Sequence, residues 1–467
     1  MTSNRALVSG LFLLFAIRLL AMIWVPLTDP TEARYAEIAR IMVDTGNWIT
    51  PQFDYGIPFW AKPPLHTWLA AIGIEAFGSS PFAARIGILF STILTLVIVW
   101  RWTRSVSDPR SSIVATLVTA STGVFFFSAA FVQTDMVLTL GVVASMAGFY
   151  NGLKGSRSWG WLFFLGLAIG LLAKGPIAVV LTMTPIALWM IWRRDWQILT
   201  RLPWIGGTIL CLALVLPWYA AAEIATPGYL RYFLIGEHIE RFLVPGWKGD
   251  LYGSGREHAK GTIWLFWIIA TLPWSPLLPV LLWRYRKTPI FDDEGLHLYL
   301  LLFALTPLVF FTAAANILIA YVLPGIPAAA ILAVILWTRM RIPGGFWLKL
   351  GLAEITVFTV GLISISIFDG TRTLLPTEDR LVAVYQDRGR LAILRGRSFS
   401  SEFYSKGEVT KIKSMDDLSK WLTAGDGVLV RKADRDALDT RFGSTLSFLS
   451  EDKNYALYIS NGAPGVQ

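Results

Sequence analysis

Long apolar runs dominate most of this chain, and short polar turns separate them. A helix needs about 20 residues to cross the hydrocarbon core of a bilayer, and by that measure the runs form about eleven spans. They lie near 7–27, 83–102, 112–129, 133–151, 159–174, 176–192, 203–222, 261–283, 296–313, 317–337 and 346–368. The predicted fold is mainly α, a polytopic transmembrane helical bundle over residues 1–369 with two long polar loops at 28–82 and 223–260. Beyond residue 369 the pattern changes, and Glu378, Asp379, Arg380, Asp387 and Arg388 crowd together. Short β-like runs at Leu381–Tyr385, Leu391–Leu394, Gly427–Val430 and Tyr455–Ile459 alternate with helical patterns at Met415–Thr423 and Asp434–Phe442. That alternation predicts a small C-terminal α/β domain over 370–467.

The first long loop concentrates carboxylates, basic groups and aromatics between Thr28 and Trp68. Asp29-Pro30-Thr31-Glu32 reads as a helix start, with Asp29 at the N-cap, Pro30 at the first helical position and Glu32 reaching back. Ala33, Ala36, Ile38, Ala39 and Met42 recur at helical spacing, and Asp44-Thr45-Gly46 ends the run. The expected product is a short amphipathic helix on the membrane surface. Its carboxylates have two compatible readings, as helix caps and as groups facing a substrate.

Composition narrows the class. Of 467 residues 54% are hydrophobic and only 16% charged, against roughly 25% charged in soluble domains. The 21 tryptophans suit bilayer interfaces. The net charge of +9 is not a nucleic-acid signal, because its placement follows the spans. Arg101, Arg104, Arg110, Lys154, Arg157, Arg193, Arg194, Arg201, Arg284, Arg286, Lys287, Arg339 and Arg341 all fall on one side, the cytoplasmic side by the positive-inside rule. Both long loops and the C-terminal domain then face outward, as do the turns at Gln133-Thr134-Asp135, Lys174-Gly175-Pro176 and Ala315-Asn316. The single cysteine, Cys211, excludes an intrachain disulfide and a cysteine-based metal site. Leu7–Leu27 carries Arg18 and no small-residue cleavage site, so it reads as a retained span.

The outward polar points are Asp29, Glu32, Arg34, Lys62, Asp135, Lys174, Glu237, His238 and Arg241. Ionisable groups at membrane depth usually line a site. Asp135 interrupts two apolar runs, and its alternative reading is a capped turn. In Ala61-Lys62-Pro63-Pro64 the prolines fix where the ammonium points. Lys62 and Lys174 could simply snorkel to the interface. With Arg34 and Arg241 they could instead hold a phosphate through charge-assisted bonds. His238 reads as a satisfied or interfacial histidine rather than a metal ligand. The C-terminal domain shows no phosphate-binding glycine loop, nucleophile elbow or metal signature.

Taken in chain order, a set of short motifs carries a resemblance. They are Asp29-Pro30-Thr31-Glu32-Ala33-Arg34-Tyr35-Ala36-Glu37, Gly46-Asn47-Trp48, Lys62-Pro63-Pro64, Thr134-Asp135, Lys174-Gly175, Glu237-His238 with Arg241-Phe242, and Tyr321-Val322-Leu323-Pro324. Together they resemble the bacterial integral-membrane glycosyltransferases of the GT-C fold, among them the aminoarabinose transferases that modify lipid A and the protein-mannosyltransferase-like group. The resemblance implies a polyprenyl-phosphate sugar donor, of the undecaprenyl-phosphate type, used at the periplasmic face of the bacterial inner membrane. It implies a lipid A, glycan or protein acceptor and no nucleotide sugar. It gives Lys62 the carrier phosphate, with Arg34, Lys174 and Arg241 as further cations. Asp29, Glu32 and Asp135 become the candidate catalytic carboxylates, and Tyr35, Glu237, His238 and Tyr321 line the substrate cavity. Two departures stand out. Thr31 occupies a position where relatives often have aspartate. Ala61 replaces the carboxylate of a Glu-Lys-Pro motif, which in aminoarabinose transferases can bind zinc with a histidine. No cofactor is therefore assigned, and a divalent metal would lack one of its ligands.

The reaction so implied is an inverting displacement at the anomeric carbon. A carboxylate takes the acceptor proton while Lys62, with Arg34 or Lys174, stabilises charge on the leaving phosphate. The rival from another class is a lipid-linked sugar flippase or transporter. Such proteins often show two similar halves, which this sequence does not. A relative that only binds the carrier lipid stays open because of Thr31 and Ala61.

Overall fold

The computed structural model describes residues 4–253, 258–285, 295–340, 345–367, 375–385 and 388–462. The expected loop cations Arg286, Lys287 and Arg341, and Asp387, lie outside the described residues. Helices in chain order are α1 (Asn4–Trp24), α2 (Thr31–Thr45), α3 (Leu65–Phe77), α4 (Pro81–Val106), α5 (Pro109–Ser121), α6 (Gly123–Ser128), α7 (Thr134–Leu153), α8 (Arg157–Lys174), α9 (Ile177–Arg193) and α10 (Trp204–Ala225). After these come α11 (Tyr229–Arg231), a π-helical stretch Tyr232–Glu240, α12 (Arg241–Leu243), α13 (Thr262–Ala270), α14 (Leu277–Tyr285), α15 (Leu296–Thr312), a 3-10 turn Ile319–Gly325, α16 (Ile326–Arg339) and α17 (Gly345–Ile367). Helix thus stands at every expected span. Among the described residues five stretches are long and apolar enough to cross a membrane: α1, α4, α7, α10 and Ile319–Arg339. Two expected spans are broken. Residues 112–129 divide into α5 and α6 at Thr122, and 261–283 into α13 and α14 around Pro273 and Pro276, which cannot donate to a helical ladder.

The chain forms two compact units. One comprises Met1–Leu19, Asn47–Leu69 and Ile86–Phe358; the other comprises Leu20–Gly46, Ala70–Arg85 and Thr359–Gln467. The first-loop helix α2 therefore belongs to the same unit as the C-terminal sequence, a division different from a single boundary near residue 369.

In the first unit, α7 and α8 pack backbone to backbone. A Cβ on Gly141 would stand 2.6 Å from the Gly170 nitrogen, and one on Gly148 would stand 2.5 Å from the Phe163 nitrogen. Small residues let membrane helices approach this closely. The turn at 154–156 makes the pair antiparallel, so the first turn of α7 and the last of α8 meet at one end, bringing Asp135 to Lys174. Gly148→Val is expected to force the pair apart at a cost of about 1–3 kcal/mol. The thermal midpoint of the protein in detergent should fall accordingly. An unchanged midpoint would mean the two helices do not pack this tightly.

The second unit holds a five-stranded sheet in the order β4-β3-β5-β7-β6, from β3 (Leu391–Leu394), β4 (Thr410–Ile412), β5 (Gly427–Arg431), β6 (Leu446–Glu451) and β7 (Tyr455–Ser460). A separate hairpin, β1 (Gln52–Asp54) with β2 (Ile57–Pro58), lies in the first unit. Strands β4, β3 and β5 are parallel, and β7 and β6 add antiparallel. Ala392, Leu394, Val428 and Val430 face one apolar layer with Leu418, Leu438 and Phe442. Ile393, Leu429 and Leu457 face another with Leu381, Val382 and Tyr385. Side chains alternate along a strand, so both layers are needed to bury the whole run. Residues 381–385 lie in a helix, α18 (Asp379–Tyr385), not a strand. A five-residue apolar run cannot tell the two apart by period alone. Strands β4 and β6, with exposed Thr410, Lys411 and Phe448, lie at the sheet edges and had no apolar signature to announce them.

Helix α2 also corrects the sequence reading. Gly46 closes it at φ 65°, as expected. Its start carries no side-chain cap: Asp29 does not cap it and Glu32 does not reach back. Nor is it exposed on one face, because Glu32, Ala33 and Tyr35 through Met42 are buried. Burial of so polar a helix is possible because its charges are paired inside the unit. Arg40 grips Glu37 through two bonds of 2.7 Å, and Arg85 grips Glu32.

Candidate active site

Lys62, Glu237 and Arg241 converge in the first unit. The hairpin that leads to Lys62 is pinned by Tyr252, whose hydroxyl donates to Pro58 O (2.8 Å) and accepts from the Trp60 amide (2.9 Å). Pro63 and Pro64 then stiffen the chain as α3 begins. The Lys62 ammonium reaches Glu237 Oε2 at 2.6 Å and the Ala61 carbonyl at 2.6 Å. Glu237 projects from the π-helical stretch, and Arg241, four residues on, gives both Glu237 oxygens a bond of 3.0 Å. Asp250 stands 3.4 Å from the same guanidinium. Burial pushes the Glu237 carboxyl up, but Lys62 and Arg241 outweigh it and hold the group below the ordinary carboxylate range. Two cations and two anions thus form a neutral cluster whose carboxylate side is deep, with Glu237 2% exposed and Lys62 16%.

The second pair is Asp135 with Lys174, at 2.5 Å. Asp135 lies in the first turn of α7, where the helix dipole favours an anion, and Lys174 in the last turn of α8, where it favours a cation. Lys174 also stands 4.1 Å from the centre of the Tyr321 ring, a cation–π contact. Tyr321 also lies within electrostatic range of Arg241. His238 donates through Nδ1 to Phe233 O (2.7 Å), and its Nε2 stands 3.3 Å from Lys174 O. The structure therefore brings together Lys62, Asp135, Lys174, Glu237, His238, Arg241 and Tyr321. Asp250, Tyr232 and Tyr252 also belong there and were not anticipated; only their place in the second polar loop signalled them.

The remaining candidates lie in the second unit. Both Glu32 oxygens are held by Arg85, at 2.8 and 2.7 Å. Arg85 also donates to the carbonyls of Met22, Val25 and Pro26. Sequence reading missed Arg85, whose signal was an arginine inside the start of an apolar run. The Arg34 guanidinium lies 5.4 Å from the centre of the buried Tyr35 ring. Asp29 accepts the amides of Phe399 (3.0 Å) and Ser400 (3.1 Å), capping α19 (Phe399–Tyr404) in place of α2. The Ser398 and Ser400 hydroxyls bridge Asp29 to Glu378 Oε2. Burial, reinforced by the Asp29 charge, pushes the Glu378 carboxyl up to about 9. A neutral acid beside the aspartate avoids two facing anions.

The raised value has a stability consequence. The folded unit keeps the Glu378 proton where the unfolded chain loses it, so the stabilisation is complete below about 4.5 and is lost as pH rises through about 9. Glu37, lifted by burial to about 7 against the pull of Arg40, contributes in the same direction. Thermal midpoints taken across this range should decline with pH, and Glu378→Gln should flatten the upper part of the decline. A wild-type midpoint that rises toward pH 9 would contradict the assignment.

The zinc pair that the resemblance implies does not fit these residues. Ala61 offers no carboxylate to pair with a histidine. Among the described residues no cluster of three or more His, Cys, Asp or Glu is arranged to hold a metal.

Comparisons place this geometry in context. Residues 8–233 match the family model described as dolichyl-phosphate-mannose-protein mannosyltransferase. An undecaprenyl phosphate-α-4-amino-4-deoxy-L-arabinose arabinosyl transferase of Pseudomonas fluorescens is 30% identical over 390 residues, covering 79% of this chain and 65% of the relative. The corresponding transferase of Edwardsiella ictaluri is 32% identical over 321 residues, covering 66% and 54%. The chain thus spans between half and two thirds of the length of these relatives. The crystal structure of ArnT from Cupriavidus metallidurans bound to undecaprenyl phosphate superposes with a TM-score of 0.79 at 19% identity, over 100% of both chains. This chain is a membrane protein with the GT-C fold of ArnT, similar in sequence to the aminoarabinose transferases and to the mannosyltransferase family model.

Proposed function

We propose that this protein transfers a sugar from a polyprenyl-phosphate carrier of the undecaprenyl type to a lipid A, glycan or protein acceptor, by inverting displacement. The observation that carries the reading is the convergence of Lys62 and Arg241 on one buried carboxylate, Glu237. Glu237 holds both cations in place without a substrate, so they need little reorganisation to meet the charge that grows on a departing phosphate. Lys174 supplies a third cation beside Tyr321. We assign the base to Asp135, which Lys174 orients through one oxygen. Asp29 and Glu32 are assigned to the architecture of the second unit, where their oxygens are taken by α19 and Arg85. The site is assigned to the periplasmic face of the bacterial inner membrane, on the basic loops of the opposite side.

The test is turnover in detergent with a pool of polyprenyl-phosphate sugars and a cell-envelope extract, following free polyprenyl phosphate by mass spectrometry. Asp135→Asn should lower carrier release about a hundredfold, within the range of a lost general base, and should also lower the thermal midpoint, because it leaves the buried Lys174 without its counterion. Release that survives Asp135→Asn would remove the base assignment. No release by wild type, with the acceptor and donor pool shown competent by a known transferase, would remove the reading as a whole.

A further inference from the structure

The helical stretch that carries Glu237 and Arg241 ends at Leu243, and Val244-Pro245-Gly246 follows. In a continuing helix the Arg241 carbonyl would accept from the amide of residue 245, but that residue is proline and has no N–H to give. A distant side chain supplies the missing donor: Asn316 Nδ2 donates to Arg241 O at 2.9 Å. Beside it the Ala315 amide donates to Phe242 O at 3.1 Å, and the Phe242 ring lies 5.0 Å from that of Phe310. Asn316 Oδ1 is buried without a hydrogen-bond partner, so the side-chain amide serves Arg241 through its nitrogen alone. A short way along the same segment, Tyr321 presents its ring to Lys174.

These bonds do what the ion pairs of Arg241 do not. Glu237 and Asp250 lie in the same polar loop as Arg241, so they orient its guanidinium within that loop. The bonds from Ala315 and Asn316 tie the main chain at Arg241 and Phe242 to the segment between α15 and the 3-10 turn at Ile319–Gly325. That segment also carries Tyr321, and through its ring it meets the Asp135–Lys174 pair. We propose that Asn316 is a positioning residue: by serving the carbonyl that Pro245 leaves without a donor, it fixes where the Arg241 guanidinium stands relative to Asp135 and Lys174. The inference rests on the reading of Arg241 as a cation for the carrier phosphate. A cation that meets charge growing in a transition state acts through its preset position, and a misplacement of about 1 Å can cost about a hundredfold in rate.

The test uses the full chain in detergent. Asn316→Ala should lower kcat between about tenfold and a hundredfold, from the loss of one neutral hydrogen bond to a misplacement of about 1 Å, with a smaller change in KM. In an Arg241→Gln background the same substitution should cost little more, because the group it positions is gone. A purely structural role would repeat the loss in both backgrounds. Position is read apart from activity with phenylglyoxal, which modifies arginine side chains, followed by peptide mass spectrometry. Arg241 should label faster in Asn316→Ala than in wild type, while Arg390, exposed in the C-terminal domain, should label equally in both. The labelling also decides the matter if Arg241→Gln does not fold. Equal labelling of Arg241 in the two proteins, or a turnover loss that persists in the Arg241→Gln background, would overturn the proposal. No turnover by wild type would instead remove the functional reading and leave the labelling to judge the placement of Arg241.

Discussion

Lys62→Ala is expected to slow sugar transfer between about a hundredfold and a thousandfold, by analogy with the removal of one preorganised donor from a transition-state anion. The effect is expected in turnover rather than in folding. Without Lys62 the buried Glu237 keeps both bonds to Arg241, so no uncompensated charge is left behind. Lys62 is also the more exposed partner, at 16%, and its loss opens little buried space. Lys62→Arg should recover part of the rate, since the charge returns, but not all of it. A planar guanidinium cannot reproduce a point charge held against both Glu237 and the Ala61 carbonyl. Glu237→Gln probes the other half of the argument. It leaves Lys62 and Arg241 without their shared counterion, so the anionic carrier should be retained at least as tightly while the cations lose their fixed geometry. Turnover and carrier retention by mass spectrometry distinguish these outcomes. Equal turnover by wild type and Lys62→Ala would sink the phosphate role of Lys62.

Arg85→Met is expected to leave the second unit without a stable fold. The Arg85 and Glu32 side chains are 2% and 1% exposed and share two short bonds, while Arg85 also satisfies three main-chain carbonyls at 22–26. Removing one partner of a buried pair costs about 3–5 kcal/mol, because the other charge stays buried alone. Glu32→Gln should therefore destabilise on the same scale. The pair Glu32→Leu with Arg85→Met should recover part of the loss, since two apolar groups need no counterion. Melting midpoints of wild type, Arg85→Met, Glu32→Leu and the double variant make a double-mutant cycle. A coupling near zero would mean that the two side chains do not hold each other.

This second prediction bears on function through Thr31. The chain carries no carboxylate at that position, and its neighbours Asp29 and Glu32 are committed to α19 and to Arg85. If Asp29→Asn and Glu32→Gln lower stability and turnover in step, both act through architecture, and chemistry falls to Asp135.

The sequence by itself determined the membrane class, the position of nearly every helix, and the motif order that carries the resemblance. These are local quantities. Apolar length sets a span, glycine at positive φ closes α2, and strand-length apolar runs set β3, β5 and β7. Only the tertiary structure decided which charge meets which. Asp29 looks like a helix cap in sequence and is one, but for a helix some 370 residues away. Glu32 finds Arg85, Lys62 finds Glu237 and Lys174 finds Asp135, at separations that no local pattern encodes. The two broken spans likewise read as continuous apolar runs. Hydrophobicity is additive along the chain and so is legible in order. An ion pair is a property of two distant residues at one distance, and that distance exists only once the helices have packed.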